Sequence, residues 1–171
     1  MKLTDDDFSL FGFPARQQQD CAEIDARWKQ LQAQVHPDRF AHEGAAAQRV
    51  AMQWAVRVNE AHKRLRDPLA RAAYLCELRG APIQAHENTA MPAAFLMEQM
   101  EWREALDDAA TAAAVESIDA QVEQREHALL EEVRKLLDES DNASAAAQKV
   151  RALMFIQRFR SDIAKRLDNL L

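Results

Sequence analysis

Apolar residues recur at intervals of three and four along most of this chain, and this spacing is the feature that most restricts its fold. Such a period places side chains on one face of an α-helix. Four stripes stand out: Ile24, Trp28, Leu31 and Val35; Val50, Trp54, Val58, Ala61 and Leu65; Val115, Ile118, Val122, Leu129, Val133 and Leu136; and Leu153, Ile156, Phe159, Ile163, Leu167 and Leu170. With only three glycines among 171 residues, the sequence predicts an all-α protein.

The first two stripes are separated by His36, Pro37 and Asp38. Pro37 cannot continue a helix, because it lacks a backbone N–H and disfavours helical dihedral angles in the preceding residue. We therefore expect a rigid polar tip between two packed helices. Taken alone, His36 and Asp38 are either an exposed turn or half of a catalytic dyad. No nucleophile or metal-ligand cluster lies near them in sequence, which favours the turn.

The context of this tip resembles a J-domain, the module found in partners of Hsp70-type chaperones. Residues 5–14 are similar to its short first helix, residues 34–40 (QVHPDRF) to its helix–loop signature, and residues 58–68 to its third helix and exit. More closely, residues 69–75 (LARAAYL) and 95–99 (FLMEQ), followed by an acidic helical tail, resemble the HscB family. These are the J-proteins of bacterial iron–sulfur cluster assembly, and the resemblance covers essentially the full length.

The resemblance implies that the tip binds an HscA-like Hsp70 chaperone and stimulates its ATP hydrolysis. The implied chaperone-binding residues are His36, Pro37, Asp38, Arg39, Arg27 and Lys29. An exposed carboxylate can accept a charge-assisted hydrogen bond from a partner arginine, and His36 can fix the loop or add a second contact. Between residues 20 and 35 the only basic residues are Arg27 and Lys29, fewer than J-domains generally carry on their second helix.

Proline and glycine divide the chain into two expected domains. Asp67 and Pro68 predict an N-cap with proline at the first helical position, and Gly80 predicts the C-cap of the same helix. We expect a J-domain at 1–79, a connector at 80–91 and a three-helix client-binding domain at 92–171. The three predicted helices run over about 92–109, 112–138 and 143–170, and the last is capped by Asn142 or Ser144. Such long helices with short loops imply antiparallel neighbours in a bundle.

The helix predicted at 92–109 is apolar on two sides. At roughly 100° per residue, its core face consists of Phe95, Trp102 and Leu106. A second apolar stripe, well away from that face, consists of Leu96, Met97 and Met100. This stripe is either buried against another element or exposed as a binding patch. Methionine is common at partner-binding surfaces, but the residues alone leave both interpretations open.

The family resemblance implies that the same helix docks an IscU-like iron–sulfur scaffold protein. The residues carried over for scaffold binding are Leu96, Met97, Met100, Glu101, Glu104 and Phe155. Phe155 lies at the edge of the apolar stripe of the last helix, and the two glutamates supply the charged rim that a hydrophobic hot spot commonly has. Without the family, the glutamates would be interpreted as solvated acids on a helix surface.

Charge and cysteine content restrict the other possibilities. The net charge is −6, and the acidic excess lies in residues 81–171. Two halves with different charge suggest two partners, and neither half is basic enough to predict nucleic-acid binding. No apolar run approaches the roughly 20 residues of a membrane span, and the N-terminus lacks a secretory pattern, so we expect no membrane partner and a cytoplasmic location. Cys21 and Cys76 predict two reduced thiols, with no disulfide, metal or other cofactor.

The sequence therefore predicts a co-chaperone that is not itself an enzyme. It would hold a scaffold protein on one domain while the tip of the other engages the chaperone, so that client delivery coincides with ATP hydrolysis. The alternatives are a J-protein that serves another client, an enzyme, and a structural helical dimer. An enzyme would need a pocket with convergent polar groups, and a structural dimer would leave the tip without a use.

Overall fold

The computed structural model describes residues 1–84 and 91–170, and the regular elements in these ranges are helical. The helices are α1 (Asp7–Phe11), α2 (Cys21–Val35), α3 (Ala45–Arg66), α4 (Pro68–Leu78), α5 (Ala93–Asp108), α6 (Ala112–Asp138) and α7 (Ala143–Asp168). A single turn of 3₁₀ helix at Pro37–Phe40 connects α2 to α3. The predicted all-α class is confirmed. Within the described ranges, no helix is long and apolar enough to cross a membrane.

The chain forms two compact units, Met1–Leu75 and Cys76–Leu171, so the division falls within α4. The predicted domain limits, 1–79 and 92–171, differ from this division by a few residues at the first boundary and stay predictions. Most of the predicted connector, residues 85–90, lies outside the described residues.

In the first unit, α2 and α3 form an antiparallel pair. Trp28 Nε1–H donates to Asn59 Oδ1 at 2.9 Å, and Asp25 Oδ1 lies 2.8 Å from His62 Nε2. A lower residue number in α2 therefore pairs with a higher residue number in α3, so the two helices run antiparallel. The core between these helices and α1 contains fully or almost fully buried side chains: Phe8, Phe11, Ile24, Leu31, Val58, Ala61 and Leu65.

The first turns of α3 depart from the predicted stripe. Val58 is fully buried, but Val50 is 51% exposed and Trp54 is only half-buried. In the register set by Trp28 and Asn59, the residues opposite Val50 lie beyond Val35, where α2 has already ended. The 3₁₀ turn, rather than a helix, faces this end of α3, so part of the apolar surface there stays open to solvent.

The ends of α4 and α7 follow the cap residues identified in the sequence. The Asp67 carboxylate accepts the backbone N–H of Leu69 at 2.9 Å. Gly80 has a positive φ of 78°, which lets the N–H of Ala81 reach the carbonyl oxygen of Cys76 at 2.8 Å, as in a Schellman ending. At the start of α7, it is Asn142 rather than Ser144 that caps the helix, since its Oδ1 accepts the N–H of Ala145 at 3.0 Å.

In the second unit, α6 and α7 form a long antiparallel hairpin, and α5 lies along it. Arg160 on α7 reaches back to α6, donating to Asp119 Oδ1 at 3.0 Å and to Glu126 Oε2 at 2.7 Å. The predicted limits of α6 are confirmed, but the buried leucine near its end is Leu137, with Leu136 half-exposed. The stripe advances by four residues from Leu129 through Val133, and a further step of four reaches Leu137.

Candidate functional site: a polar tip and an apolar helix face

The tip between α2 and α3 holds one carboxylate almost entirely in solvent. His36 is extended (φ −60°, ψ 128°), so α2 stops there and Pro37 begins the 3₁₀ turn. His36 Nδ1 accepts the backbone N–H of Asp38 at 3.3 Å, and the His36 carbonyl oxygen accepts the N–H of Arg39 at 3.0 Å. The side chain of Asp38 is 91% exposed. Asp38 Oδ2 also lies 3.6 Å from His36 Nδ1. The backbone of Asp38 is therefore fixed, while its carboxylate lies largely in solvent beside the His36 ring.

Arg39 holds the tip against the end of α2. One guanidinium nitrogen donates to the carbonyl oxygen of Ala33 at 2.9 Å. That carbonyl is among the last four of the helix, which have no intrahelical donor, and a cation is favourable at this end of the helix dipole. Arg39 therefore has a structural role at the tip in addition to the charge it presents to solvent.

The two other predicted chaperone-binding residues lie apart from the tip and from each other. Arg27 is half-buried, and its Nε–H donates to the carbonyl oxygen of Phe11 at 3.1 Å. Lys29 is exposed. Because two residues correspond to about 200° around a helix, these two cations point in nearly opposite directions. The structure brings His36, Asp38 and Arg39 together but does not group Arg27 with Lys29.

A polar network that the sequence did not reveal connects the outer sides of α2 and α3. The Trp28 and His62 rings stack with centroids 4.6 Å apart, and Asp25 lies 2.8 Å from both His62 Nε2 and Arg66 Nε. The hydrogen bond from His62, together with the Arg66 charge, holds the pKa of Asp25 below its usual value. His62 is therefore a packing residue. The spacing of Asp25 and Trp28 along one side of α2 is the only signal in the sequence.

A second unpredicted group ties the N-terminal segment to the helices behind the tip. Asp7 is fully buried, with its carboxylate oxygens 2.7 Å from Arg57 and 2.9 Å from Arg64 of α3. Its backbone N–H donates to the Tyr74 hydroxyl at 3.0 Å, and the Tyr74 ring stacks on Phe8 at 6.0 Å. This group holds α1 against both α3 and α4.

Helix α5 carries an apolar face that is exposed to solvent. Phe95 and Leu106 are buried, as predicted for the core side. Leu96, Met97 and Met100 are 45%, 63% and 71% exposed, and we call these three residues the α5 face. Large apolar side chains that remain this open and adjacent are typical of an interaction surface. Of the two interpretations left open by the sequence, burial on both sides is therefore wrong.

Phe155 stands at the border of the core rather than in the open. Its ring meets Phe95 edge-on at 6.0 Å and stacks near Phe159 at 6.2 Å. The guanidinium carbon of Arg103 lies 5.6 Å from the Phe155 ring centroid and 5.5 Å from that of Phe159, within cation–π range. Arg103 was not identified from the sequence, because its ring partners come from a different helix.

The two predicted glutamates flank the α5 face. Glu101 and Glu104 are exposed and follow Met97 and Met100 by four residues each, so each lies one turn further along the same side of the helix. By contrast Glu98 is paired with Arg125 at 2.9 Å. The face is therefore apolar with a free acidic border.

Neither site is arranged as a metal centre. Within residues 1–84 and 91–170, no three His, Cys, Asp or Glu side chains group in a way that could hold a metal ion. Cys21 and Cys76 are free thiols, and burial raises the pKa of the Cys76 thiol to about 11. The expected absence of a bound cofactor stays a prediction.

Comparison with known proteins places this fold in one family. Residues 91–164 match the family model described as the HSCB C-terminal oligomerisation domain. The co-chaperone protein HscB homolog of Paraburkholderia phytofirmans is 50% identical over 173 aligned positions, covering 98% of both chains. The human co-chaperone protein HscB superposes with a TM-score of 0.90 at 28% identity, covering 97% of this chain and 84% of that one.

A bacterial structure agrees with these matches. Chaperone HscB from Vibrio cholerae has a TM-score of 0.83 and 33% identity to this chain, with coverage of 98% of this chain and 100% of the other. Similarity therefore extends over both compact units. The resemblance found in the sequence is confirmed: the chain belongs to the HscB family of co-chaperones of iron–sulfur cluster assembly.

Proposed function

We propose that the chain stimulates ATP hydrolysis by an HscA-like Hsp70 chaperone through its tip and delivers to it an IscU-like scaffold protein held on α5. The observation that carries the proposal is the Asp38 carboxylate, 91% exposed on a backbone that His36 and Arg39 fix in place. Co-chaperone families are not enzyme families, and the hydrolysis takes place in the partner.

The tip is suited to recognise an arginine of the chaperone. The Asp38 side chain is 91% exposed, with Oδ2 3.6 Å from His36 Nδ1. A guanidinium that reaches this carboxylate would make a short, charge-assisted and directional contact. His36 accepts the backbone N–H of Asp38 and so holds its backbone in place. Pro37 keeps α2 from continuing through the tip. Arg39, Arg27 and Lys29 add positive charge to the first unit, which would favour approach to an acidic surface of the chaperone.

The α5 face is suited to bind a client through apolar contact. Leu96, Met97 and Met100 would lose their exposure to water on docking, and a few such side chains in the middle of an interface supply most of its binding free energy. Glu101 and Glu104 would border that contact and favour a scaffold surface with basic residues. Phe155, held by Arg103 and Phe95, would add a fixed aromatic edge.

Carrying both contacts on one chain would couple them. A scaffold bound to the client-binding domain, proposed at 92–171, is kept at high effective concentration near a chaperone bound to the J-domain, proposed at 1–79. The chaperone then hydrolyses ATP while its client is within reach. The two free thiols are compatible with work in a reducing compartment, and we place this activity in the cytoplasm.

A mixing experiment tests the coupling directly. Single-turnover ATP hydrolysis by the HscA-like chaperone is measured with the IscU-like scaffold and the intact chain, which we expect to stimulate more than either addition alone. One variant lacks the tip carboxylate (Asp38→Asn) and another lacks the α5 face (Leu96, Met97 and Met100 all changed to Ala). An equal mixture of the two should not restore full stimulation, because neither chain carries both contacts. Full restoration by the mixture would contradict coupling within one chain.

A further inference from the structure

A cavity of about 420 Å³ opens at the base of the tip, and the proposed contacts of Asp38 do not use it. Its lining is mainly apolar and comes from the end of α2, the 3₁₀ turn and the start of α3: Val35, Phe40, Ala47, Val50 and Trp54, with Glu43 as its charged member. Val50 is 51% exposed at this site, although it continues a stripe that is buried further along α3. Cavities lined in this way commonly receive an apolar group.

The cavity and the tip are parts of one short segment. Val35 immediately precedes His36, and Phe40 follows Asp38 by two residues, so the segment that displays the carboxylate also forms two walls of the cavity. A partner that places an arginine on Asp38 therefore meets the same segment that forms these walls. The segment carries two exposed acids, Asp38 and Glu43, and an exposed arginine between them, Arg39. Its mixed charge suits a partner that presents both basic and acidic residues around the apolar group.

We propose that this cavity receives an apolar side chain of the Hsp70-type chaperone, carried beside the arginine that meets Asp38. The inference rests on the proposed function and adds a second contact to the same site. The arginine contact supplies direction, and its strength falls as salt screens the charges. Burial of an apolar side chain among Val35, Val50 and Trp54 supplies affinity that does not depend on charge.

The same helix provides a matched control. Met52 is also a large exposed apolar residue on α3, 59% exposed. It lies two residues after Val50, hence about 200° around the helix, where it lines a different cavity with Leu3 and Val56. Met52→Glu adds the same single negative charge to α3 as Val50→Glu does. It leaves the lining of the tip cavity unchanged.

The test measures the concentration of the full-length chain that gives half-maximal stimulation of the chaperone's ATPase. We expect Val50→Glu to raise this concentration about tenfold or more, since docking would then bury a charge, and Met52→Glu to raise it less than about twofold. Val50→Ala keeps a good helix former and removes two methyl groups from the cavity, and we expect a rise of about threefold. The effect of Val50→Ala should persist when salt is raised.

The outcomes separate this inference from the function on which it rests. Equal effects of Val50→Glu and Met52→Glu, or an unchanged half-maximal concentration for Val50→Ala, would overturn the inference, while loss of stimulation by Asp38→Asn would still support the proposed function. Full stimulation by Asp38→Asn would overturn both. If Val50→Glu lowers helicity, Val50→Ala decides the result, because alanine preserves the helix.

Discussion

Trp28 on α2 stacks on His62 of α3, with ring centroids 4.6 Å and planes 17° apart. This contact lies about two helical turns from the tip, and the hydrogen bond from Trp28 to Asn59 reinforces it. The two helices that frame the tip are therefore joined at a distance from His36 and Asp38. The tip side chains can be changed without removing what holds the helices together.

We expect Asp38→Asn and His36→Gln to abolish stimulation of the chaperone's ATPase while leaving helicity and melting temperature nearly unchanged. Asp38 is almost fully exposed and His36 more than half so, and substitutions at such surface positions usually alter stability by less than about 0.5 kcal/mol. ATPase assays and thermal melts measure the two effects separately. Retained stimulation by both variants would contradict the assignment of the tip.

Removing the α5 face should weaken scaffold binding without unfolding the second unit. Changing Leu96, Met97 and Met100 together to Ala is expected to reduce the free energy of scaffold binding by about 2–4 kcal/mol, the scale of hot-spot truncations. The loss of stability should be small, because these side chains are already largely exposed. Titration calorimetry with the scaffold and thermal melts of the chain measure both.

The matched control for the α5 face lies on the other side of the same helix. Phe95 is buried and contacts Trp102 and Phe155, so Phe95→Ala should destabilise the unit by about 3–5 kcal/mol. The α5 face would instead belong to the core if the triple variant destabilised the chain as strongly as Phe95→Ala while its folded fraction still bound scaffold.

The buried Asp7 carboxylate should matter more to stability than any exposed acid. Asp7→Asn is expected to lower the free energy of unfolding by about 2 kcal/mol, less than a fully buried pair would lose, because Arg57 and Arg64 both reach solvent in part. Asp38→Asn is the control, being the same chemical change at an exposed position. Denaturant melts of the two variants with equal midpoints would show that the Asp7 contacts contribute little.

The two thiols should react at very different rates. Burial raises the pKa of Cys76 to about 11, whereas Cys21 is only half-buried. Because the thiolate is the nucleophile, alkylation of the native protein near neutral pH should modify Cys21 first and leave Cys76 largely unmodified until denaturant is added. Mass spectrometry of peptides after timed alkylation measures this, with Cys21→Ser as the control. Fast modification of Cys76 in that variant would show that the second unit opens readily.

The Asp25 network should make part of the stability of the first unit depend on pH. The pKa of Asp25 is lower in the folded state, chiefly through the hydrogen bond from His62. Its contribution is therefore complete above the unfolded pKa of about 4 and is lost as pH falls through the lower folded pKa. Melting temperatures of Asp25→Asn should vary less than those of the wild type between about pH 5 and pH 2. Parallel curves for the two proteins would show that Asp25 does not contribute in this way.

Local signals in the sequence predicted those features that depend on neighbouring residues. The limits of α6 were predictable because Thr111 caps its first turn and turn-forming residues follow Asp138. The exposure of the tip was predictable because Pro37 interrupts the helix. The amphipathic spacing also separated the core side of α5 from its second apolar stripe, although it left the exposure of that stripe open.

Features that depend on distant residues could not be predicted in the same way. The exposure of Val50 results from the register between α2 and α3, which no local pattern specifies. Asp7 looked like one of three consecutive acids, and only the fold brings Arg57 and Arg64 around it. Arg103 likewise contacts Phe155 only because α7 places that ring beneath its guanidinium.

The short 3₁₀ turn at Pro37–Phe40 also has a thermodynamic consequence. A carboxylate on a flexible loop would lose conformational entropy when a partner immobilised it, and ordering each backbone residue costs about 1–2 kcal/mol. At this tip the backbone of Asp38 is already held by the ring of Pro37, the Nδ1 of His36 and the link from Arg39 to Ala33. Most of that ordering takes place when the protein folds, so a contact made by a single charged side chain can be both selective and readily reversible.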